Sequence, residues 1–323
     1  MSHPQYQVLA AAERWLGDGE RVWICTIVET WGSSPRPAGS MLAVSESGRW
    51  AGSVSGGCLE EDLLRRTARD EQPTLPHITD YGVTIDDRER FRLPCGGRIR
   101  LLVEPLSGPA HREVLGRLLA ALDAKVPVVR QVDLCTGEMI VEEARGHGTG
   151  VRVTDQTVRH MLGPECRLLL VGAGEVAGHV AAFGRRCGFD VTLCEPRETF
   201  MTGWSDYETP LLTTLPDDLV MKSFSDNHSA VLALAHDPRV DDMALLAALQ
   251  SNCFYVGAMG SKQTSQARRE RLASLGLSEE HLARLHAPIG IAIRSKTPAE
   301  IAVSVIADLV DARNRLLADD SAL

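Results

Sequence analysis

The sequence has no long apolar run. None of its hydrophobic segments approaches the roughly 20 residues that a helix needs to cross a bilayer. The N-terminus also lacks the basic start and apolar centre of a secretion signal, since it reads MSHPQYQVLAAAERWLGDGE. We therefore predict a cytoplasmic protein without a membrane partner.

The sequence has no excess of basic residues either. It contains 34 Lys and Arg against 43 Asp and Glu, which gives a formal net charge of -9. Surfaces that bind nucleic acids or anionic membranes recruit clustered Lys and Arg. The charge balance therefore excludes a general surface of this kind and leaves room only for local basic pockets. We expect no nucleic-acid partner.

Cysteine pairs of the CxxC type are absent. The eight cysteines are scattered along the chain, at positions 25, 58, 95, 135, 166, 187, 194 and 253. A chain of 323 residues does not need disulfides to hold its core together, so a disulfide framework is not expected. Most of these cysteines should be buried apolar thiols. Cys58 and Cys95 differ because each lies beside two glycines.

The length of 323 residues and the hydrophobic content of 44% suit two domains with well-formed cores. Residues 144–165, which include the glycine-rich stretch ARGHGTG, change in character and are interpreted as a connection between them. We predict a mixed α/β domain over residues 1–155 and a Rossmann-like domain with a doubly wound parallel sheet over residues 156–323.

The first half alternates helices and strands without a regular βαβ repeat. Apolar spacing, β-branched runs and turn residues mark the elements. The predicted helices cover residues 5–16, 59–69 and 111–122, and the predicted strands cover 22–30, 41–44, 50–54 and 98–104, with a β-hairpin over 126–143.

The second half begins with a dinucleotide-binding fingerprint. An apolar strand at 167–171 runs into the turn Gly172-Ala173-Gly174-Glu175-Val176-Ala177, then a helix, and then a strand that ends at Glu195. If a dinucleotide binds here, Gly172 and Gly174 would line it and Glu195 would accept a hydrogen bond from a ribose hydroxyl, which favours NAD over NADP. The alternative is a tight turn in a fold that binds no nucleotide.

The alternation continues to the C-terminus. We predict a strand at 230–235, a helix at 243–249, a strand at 254–258 and a helix at 262–275, a spacing typical of a parallel sheet covered on both faces. Thr297, Pro298 and Glu300 carry the start signals of the last helix, as its N-cap, its first residue and the second half of a capping box.

Two loops of this half follow predicted strands and lie where ligands of open α/β sheets bind. The first carries His236 and Asp237. The alternative is that Asp237 caps the next helix and that His236 has no role in binding. The second carries Gly260, Ser261 and Lys262 at a helix start suited to an anion. The alternative is that the basic residues of this helix form an ordinary solvated face, namely Lys262, Arg268, Arg269 and Arg271.

The paired glycines of the first half surround two thiols, in Gly56-Gly57-Cys58 and in Cys95-Gly96-Gly97. Glycine allows positive φ and a close approach of a ligand to the backbone. Cys58 also precedes an acidic helix start, where the helix dipole lowers a thiol pKa. Thiolates suit soft metals and sulfur transfer. The alternative is two buried cysteines, and a closed zinc site lacks further ligands.

A loop upstream offers groups that bind anions. Gly32-Ser33-Ser34-Pro35-Arg36 contains backbone donors, two hydroxyls and a guanidinium within five positions. Because arginine presents a forked pair of donors, Ser33, Ser34 and Arg36 could hold a phosphate or a negatively charged cofactor. The alternative is an ordinary polar loop.

These motifs together resemble the XdhC/CoxI family over nearly the whole chain and in the family's order. The matching stretches are ETWGSSPRPAGSMLAVSESGRWAGSVSGGCLEE, PCGGRIRLLVEPL, LLLVGAGEVAGHVA with CEPR, YVGAMGSK, and HAPIGIAIRSKTPAEIAVSVI. The match departs from the family pattern at two positions. Ser55 stands where the family often has a third glycine, and Glu195 stands where it often has Asp.

The resemblance implies a chaperone that binds the molybdenum cofactor, protects it, assists its sulfuration and inserts it into a xanthine dehydrogenase or aldehyde oxidoreductase type enzyme. Implied partners are the apo-molybdoenzyme, a cysteine desulfurase, a cofactor nucleotidyltransferase and a second copy of the chain. On this hypothesis Cys58 and Cys95 contact molybdenum or relay sulfur, and Ser33, Ser34 and Arg36 hold anionic parts of a molybdopterin or its cytosine dinucleotide form.

Two rival functions remain open. In the first, the chain is an oxidoreductase whose Rossmann-like domain binds NAD(P) and whose cysteines are incidental. In the second, the nucleotide fold is a scaffold that docks other maturation proteins. The cofactor content of the purified protein separates these functions.

Overall fold

The chain folds into two compact units, Met1–Gly163 and Pro164–Leu323. The structure is a computed structural model and describes residues 4–32, 36–69, 71, 73–83, 97–144, 150–163 and 166–320. The mixed α/β class predicted from the sequence is confirmed, with antiparallel sheets in the first unit and a parallel sheet in the second.

The first unit is built on a five-stranded sheet with the strand order β3-β2-β1-β5-β4, in which neighbouring strands are antiparallel. The bounds of the strands are β1 Val22–Trp31, β2 Met41–Ser45, β3 Trp50–Gly52, β4 His77–Tyr81 and β5 Arg98–Leu106. Strand β4 was not predicted, because HITDY has little apolar character, and it occupies an edge of the sheet.

Helices cover both faces of this sheet. They are α1 Pro4–Gly17, α2 Cys58–Ala68 and α3 Gly108–Asp123. The residues of α1 and α3 share a core with Val22, Ile24 and Leu102, whereas Leu59 and Leu63 of α2 pack with Cys25 and Leu101 on the opposite face. Alternate residues of a strand point to opposite faces, so the apolar run of β1 serves two cores.

A second antiparallel sheet, of four strands in the order β7-β6-β9-β8, completes the first unit. Its strands are β6 Val128–Asp133, β7 Met139–Glu143, β8 Val151–Val153 and β9 Thr157–Leu162. The predicted connection over residues 144–165 is therefore wrong in part. Strand β9 alternates buried and more exposed positions and pairs with β6. This pairing holds residues beyond position 155 in the first unit.

The second unit contains a six-stranded parallel sheet with the order β12-β11-β10-β13-β14-β15. Its strands are β10 Cys166–Val171, β11 Phe189–Cys194, β12 Leu211–Leu212, β13 Ser229–Ala233, β14 Tyr255–Ala258 and β15 Leu285–His286. Separate apolar clusters lie on its two faces, as the prediction of a sheet covered on both sides requires.

The connections of this sheet are helical. The helices are α4 Glu175–Arg186, α5 Glu198–Met201, α6 Pro216–Ser223, α7 Pro238–Leu249, α8 Lys262–Ser274, α9 Glu279–Ala283 and α10 Pro298–Asp320. The predicted capping box is confirmed, since the Glu300 carboxylate accepts from Thr297 N–H at 3.0 Å and the Thr297 hydroxyl accepts from Glu300 N–H at 3.3 Å. None of the described helices is long and apolar enough to cross a membrane.

Candidate functional site

The predicted cofactor loops of the first unit are attached to the same end of its five-stranded sheet. Strand β1 ends at Trp31, and Trp31 pairs with Arg98 at the start of β5. Strand β2 begins on the same side, since Met41 pairs with Thr26. Strand β3 runs antiparallel to β2 and ends there at Gly52, which pairs with Leu42. The segments before and after these strands therefore meet the sheet at one end.

Part of the predicted site falls on this described framework. Arg36 is exposed, Gly56 and Gly57 precede α2, and Gly97 precedes β5. The backbone of Cys58 forms the first residue of α2, as the helix start in the sequence predicts. Four predicted residues lie outside the described residues, namely Ser33, Ser34, Cys95 and Gly96, and the side chain of Cys58 also lies outside them.

The loop over residues 53–57 is organised around the carboxylate of Glu60. Its oxygens accept hydrogen bonds from the backbone N–H groups of four consecutive residues and from two serine hydroxyls. The backbone donors are Val54 at 2.8 Å, Ser55 at 2.9 Å, Gly56 at 3.2 Å and Gly57 at 2.8 Å, and the hydroxyl donors are those of Ser53 at 2.7 Å and Ser55. One buried side chain therefore satisfies every N–H from Val54 to Gly57.

The electrostatics of Glu60 follow from this geometry. The residue is only 6% exposed. Burial by itself would raise the pKa of the Glu60 carboxyl, but hydrogen bonds from Ser55 and Ser53 outweigh it and lower the pKa to about 2. Glu60 is therefore ionised at neutral pH, and its charge lies in the first turn of α2, where the helix dipole favours an anion.

Gly56 and Gly57 are required by the path of this loop. Their φ angles are 86° and 143°, which side chains rarely adopt, and an added Cβ at either position would meet no atom of the described residues within 4 Å. Within the part of the chain that the structure describes, the outer side of the backbone just before Cys58 is therefore open. A bulky ligand could approach it closely, although the N–H groups of the loop already point to Glu60.

Trp31 and two arginines form a cluster at the same end of the sheet. The guanidinium carbons of Arg98 and Arg100 lie 4.6 Å and 5.3 Å from the centre of the Trp31 ring. Asp80 accepts from Arg98 and Arg100 at 3.1 Å each. No sequence motif indicated this cluster, because its members come from three strands.

In the second unit, the turn between β10 and α4 has the predicted form, but its acidic partner is already bound. The Glu195 carboxylate accepts from Ala173 N–H at 2.9 Å, and from Arg197 through the backbone N–H at 2.9 Å and the guanidinium at 2.8 Å for each of two nitrogens. Glu195 is 0% exposed. The ribose contact predicted for Glu195 would require breaking some of these bonds.

The two glycines of this turn differ in their surroundings. Gly172 has a φ of 107°, and an added Cβ would lie 2.4 Å from Cα of Ala235. At Gly174 an added Cβ would meet none of the described residues within 4 Å. The first glycine is therefore needed for packing against the neighbouring strand end, whereas the second leaves room for a ligand.

The loop after β13 is closed by a helix cap. The Asp237 carboxylate accepts from Arg239 N–H at 3.0 Å and so caps α7. His236 is exposed and has a φ of 56°. The structure thus gives Asp237 the capping role, and the cofactor contact of His236 stays a prediction.

The loop after β14 is capped in the same way. The Ser261 hydroxyl accepts from Thr264 N–H at 3.1 Å, while Ser261 and Lys262 are exposed and Gly260 is half-buried. These residues stay a predicted anion site. The alternative of a solvated basic face is wrong for Arg268, which is 2% exposed and donates to Asp241 at 3.0 Å. Asp241 in turn accepts from Ala235 N–H at 3.0 Å.

The neighbouring arginines of α8 also hold structure together. Arg269 donates to the carbonyl groups of Leu282 and Leu285, and Arg271 donates to Asp242 at 2.8 Å. Salt bridges and carbonyl contacts of this kind were not evident from the sequence, because their acceptors lie on other elements.

The described cysteines do not form a site. Six are free thiols, and four of them are buried, namely Cys25, Cys166, Cys194 and Cys253. Burial raises the pKa of the Cys194 thiol to about 12, which disfavours a thiolate. Among the residues that the structure describes, no group of three or more His, Cys, Asp or Glu side chains could hold a metal ion.

Comparisons with known proteins agree with the two-unit architecture. Residues 15–81 match the family model described as the XdhC and CoxI family, and residues 168–309 match the XdhC Rossmann domain. The protein is 27% identical over 315 residues to the "Molybdenum cofactor insertion chaperone PaoD" of Escherichia coli strain K12, with 95% of this chain and 88% of that protein covered.

Two further relatives cover almost all of the chain. It is 25% identical over 324 residues to a probable xanthine dehydrogenase subunit of Bacillus subtilis strain 168, with 93% of this chain and 96% of that protein covered. A crystal structure of a xanthine dehydrogenase from Bacillus halodurans superposes with a TM-score of 0.72 at 25% identity, with 96% of each chain covered. The motifs, the fold and these matches agree, and the chain belongs to the XdhC and CoxI family.

Proposed function

We propose that the protein is a molybdenum cofactor insertion chaperone, which binds the cofactor, protects it and delivers it to a molybdoenzyme of the xanthine dehydrogenase or aldehyde oxidoreductase type. The name of the Escherichia coli relative supports the chaperone role, and that of the Bacillus subtilis relative supports the class of client. The observation that carries the proposal is that three of the predicted loops are attached to one end of the same sheet. Gly32 follows β1, Gly97 precedes β5, and the loop that contains Gly57 follows β3.

The described residues fit a large ligand at this end. No atom of the described residues lies close to an added Cβ at Gly56 or Gly57, which leaves space for a planar pterin to approach this backbone. When bound, the group supplies a molybdenum centre and dithiolene sulfurs. In the proposal Cys58 and Cys95 provide soft ligands for the metal or relay sulfur to it, while Gly96 and Gly97 leave room beside the second thiol.

The anionic part of the cofactor needs hydrogen-bond donors from the protein. The loop N–H groups from Val54 to Gly57 are bonded to Glu60, so they are poor candidates. We assign the phosphate to Ser33, Ser34 and Arg36 on the chemistry of their side chains, since hydroxyls and a forked guanidinium suit phosphate oxygens.

The proposal includes sulfuration of the cofactor by a cysteine desulfurase, which transfers persulfide sulfur, and the involvement of a nucleotidyltransferase if the cytosine dinucleotide form is carried. It also includes a homodimer as the working form. Pull-down of each purified partner and the mass of the complex in solution test these parts separately.

The competing NAD(P) oxidoreductase has less support. The carboxylate that would receive the ribose, Glu195, is buried and accepts four hydrogen bonds from within the protein. Titration with NADH, followed by nicotinamide fluorescence, should therefore show no saturable binding. Saturable binding accompanied by hydride transfer would favour the oxidoreductase instead.

The decisive experiment is anaerobic purification followed by molybdenum and pterin analysis. We expect both to co-purify with the wild type, and we expect Cys58→Ala and Cys95→Ala each to lose cofactor and to activate the apo-enzyme less well. Cys135→Ala is the matched control, because Cys135 is an exposed cysteine of the same unit. Unchanged loading and activation in the Cys58→Ala/Cys95→Ala double variant would remove these thiols from the mechanism.

A further inference from the structure

We propose that Glu60 is the positioning residue of the cofactor site, which sets the conformation of residues 53–57 and thereby the place at which α2 and Cys58 begin. This inference rests on the proposed function for its ligand, although the geometry on which it is based does not. Glu60 would act through the loop and need not touch the cofactor.

Six hydrogen bonds of one segment converge on the Glu60 side chain. A segment with two consecutive positive-φ glycines has great conformational freedom before folding. Four backbone N–H groups and two hydroxyls of this segment donate to Glu60. Among the described hydrogen bonds, the Ser53 hydroxyl near Gly56 is the one further acceptor for these N–H groups.

Glu60 also fixes the residue that directly precedes Cys58. The N–H of Gly57 donates to Glu60 at 2.8 Å, while the carbonyl of Gly57 accepts from Glu61 N–H at 3.2 Å. Gly57 is therefore held from both sides. Since Cys58 is the next residue, the placement of its backbone follows from that of Gly57.

The loop is anchored to the sheet as well. Ser53 N–H donates to the carbonyl of Met41, the first residue of β2, at 3.0 Å. Val54 and Leu59 are both 0% exposed and belong to the same apolar cluster. Glu60 thus links the end of the sheet to the start of α2, and the glycine backbone lies between them.

Glu61 offers a matched control. It has the same charge and lies in the same helical turn, but it is exposed and its side chain takes no part in the described bonds to residues 53–57. The test therefore compares Glu60→Gln, which keeps the size of the side chain and replaces one acceptor oxygen by a donor, with Glu61→Gln.

Two measurements on the full-length protein separate positioning from a general loss of stability. The first is pterin retained after gel filtration with isolated molybdenum cofactor, counted only in variants that circular dichroism shows to be folded at the assay temperature. Loss of buried hydrogen bonds to a charged group should weaken retention in Glu60→Gln by about tenfold. Glu61→Gln should retain pterin as the wild type does.

The second measurement is the rate of alkylation of Cys58 relative to that of Cys135, read from the masses of the two peptides without any cofactor. Glu60→Gln should change this ratio by about threefold or more, since the loop that sets the helix start is released. Glu61→Gln should leave it unchanged. A simple loss of stability would also raise the alkylation rate of Cys25, a buried cysteine of the same unit that serves as the stability control.

The outcomes are distinct. If the wild type retains no pterin, the proposed function fails, and the alkylation ratio alone still decides the role of Glu60. If folded Glu60→Gln keeps both the wild-type retention and the wild-type ratio, the positioning role is overturned. An equal effect of Glu61→Gln would overturn it too, because a general charge effect would then explain the result.

Discussion

Trp31 lies directly opposite Arg98 where β1 pairs with β5. Its indole ring also lies 4.6 Å from the guanidinium carbon of Arg98, so the two residues contact each other through both backbone and side chain. The glycine that follows Trp31 leads into one predicted cofactor loop, and the glycine that precedes Arg98 leads out of another. A contact between two strands thus brings together motifs that lie far apart in the sequence.

Trp31→Ala should lower the free energy of unfolding. It removes the ring that Arg98 and Arg100 face, and each cation–π contact at a half-exposed site contributes about 0.5–1 kcal/mol. Trp31→Phe should lose less, because a phenyl ring keeps part of the contact. Urea unfolding of the two variants measures the difference. If both variants lost the same free energy of unfolding, the contact of the arginines with an aromatic ring would not account for the stabilisation.

The buried ion pair of Arg130 and Glu104 should be sensitive to the loss of either partner. Their side chains are 0% and 1% exposed, and Arg130 donates to Glu104 at 2.7 Å and to the Thr26 hydroxyl at 3.3 Å. Glu104→Leu or Arg130→Met alone should cost about 3–5 kcal/mol, because each leaves a charge buried without its partner. The double variant Glu104→Leu/Arg130→Met should recover much of this loss. Additive losses in chemical unfolding would contradict the account.

The two glycines of the turn after β10 should respond differently to alanine. Gly172→Ala should destabilise the fold by about 3 kcal/mol or more, because the new Cβ would meet the backbone of Ala235. Gly174→Ala should cost at most about 1 kcal/mol, since its space is open and only the helix start is affected. Thermal unfolding of both variants provides the check. A larger effect at Gly174 would be inconsistent with this packing.

Glu195 should make stability depend on pH. Burial alone would raise the pKa of this carboxyl, but hydrogen bonds from Arg197 and Ala173 N–H lower it below its ordinary value of 4.5. The unfolded chain therefore binds the proton more tightly than the folded chain. The stability that Glu195 contributes is present above the ordinary value and is lost as the pH falls through the depressed folded value.

The stability difference between the wild type and Glu195→Gln should accordingly stay constant well above pH 4.5 and shrink as the pH is lowered through and below this value. Glu175→Gln, at an exposed position in the first turn of α4, serves as the control and should show no such trend. Guanidinium unfolding at several pH values measures both. A difference that stays constant with pH would mean that the carboxylate of Glu195 is not the group that matters.

A common device occurs in both units. Glycine-rich turns contain N–H groups that could bind an external anion. In each unit, a carboxylate of the protein itself accepts hydrogen bonds from such N–H groups. Glu60 bonds the loop before α2, and Glu195 bonds Ala173 in the turn before α4. From the sequence, the glycines were predicted to receive a ligand, whereas the acidic residues after Cys58 were recognised only as an acidic helix start.

The four central strands of the second unit were predictable because each is a largely apolar run between turn residues, whereas the two-residue edge strands β12 and β15 were not predicted. Strand β9 was not predicted because it is not a continuous apolar run. It follows a glycine-rich stretch, and its inward positions include His160, a polar residue that is 0% exposed. Polar residues that become buried through pairing with another strand leave no hydrophobic pattern in the sequence.

Local signals in the chain were sufficient for the class of fold, the start and end of most helices, and the family, because periodicity, capping residues and ordered motifs can be read without knowing distant neighbours. The folded arrangement was needed to show which loops share one end of a sheet and which carboxylates fill the glycine-rich turns. These features depend on the register of β1 with β5 and on hydrogen bonds between residues that fold into proximity. A residue type specifies a donor or an acceptor, but the folded backbone selects its partner.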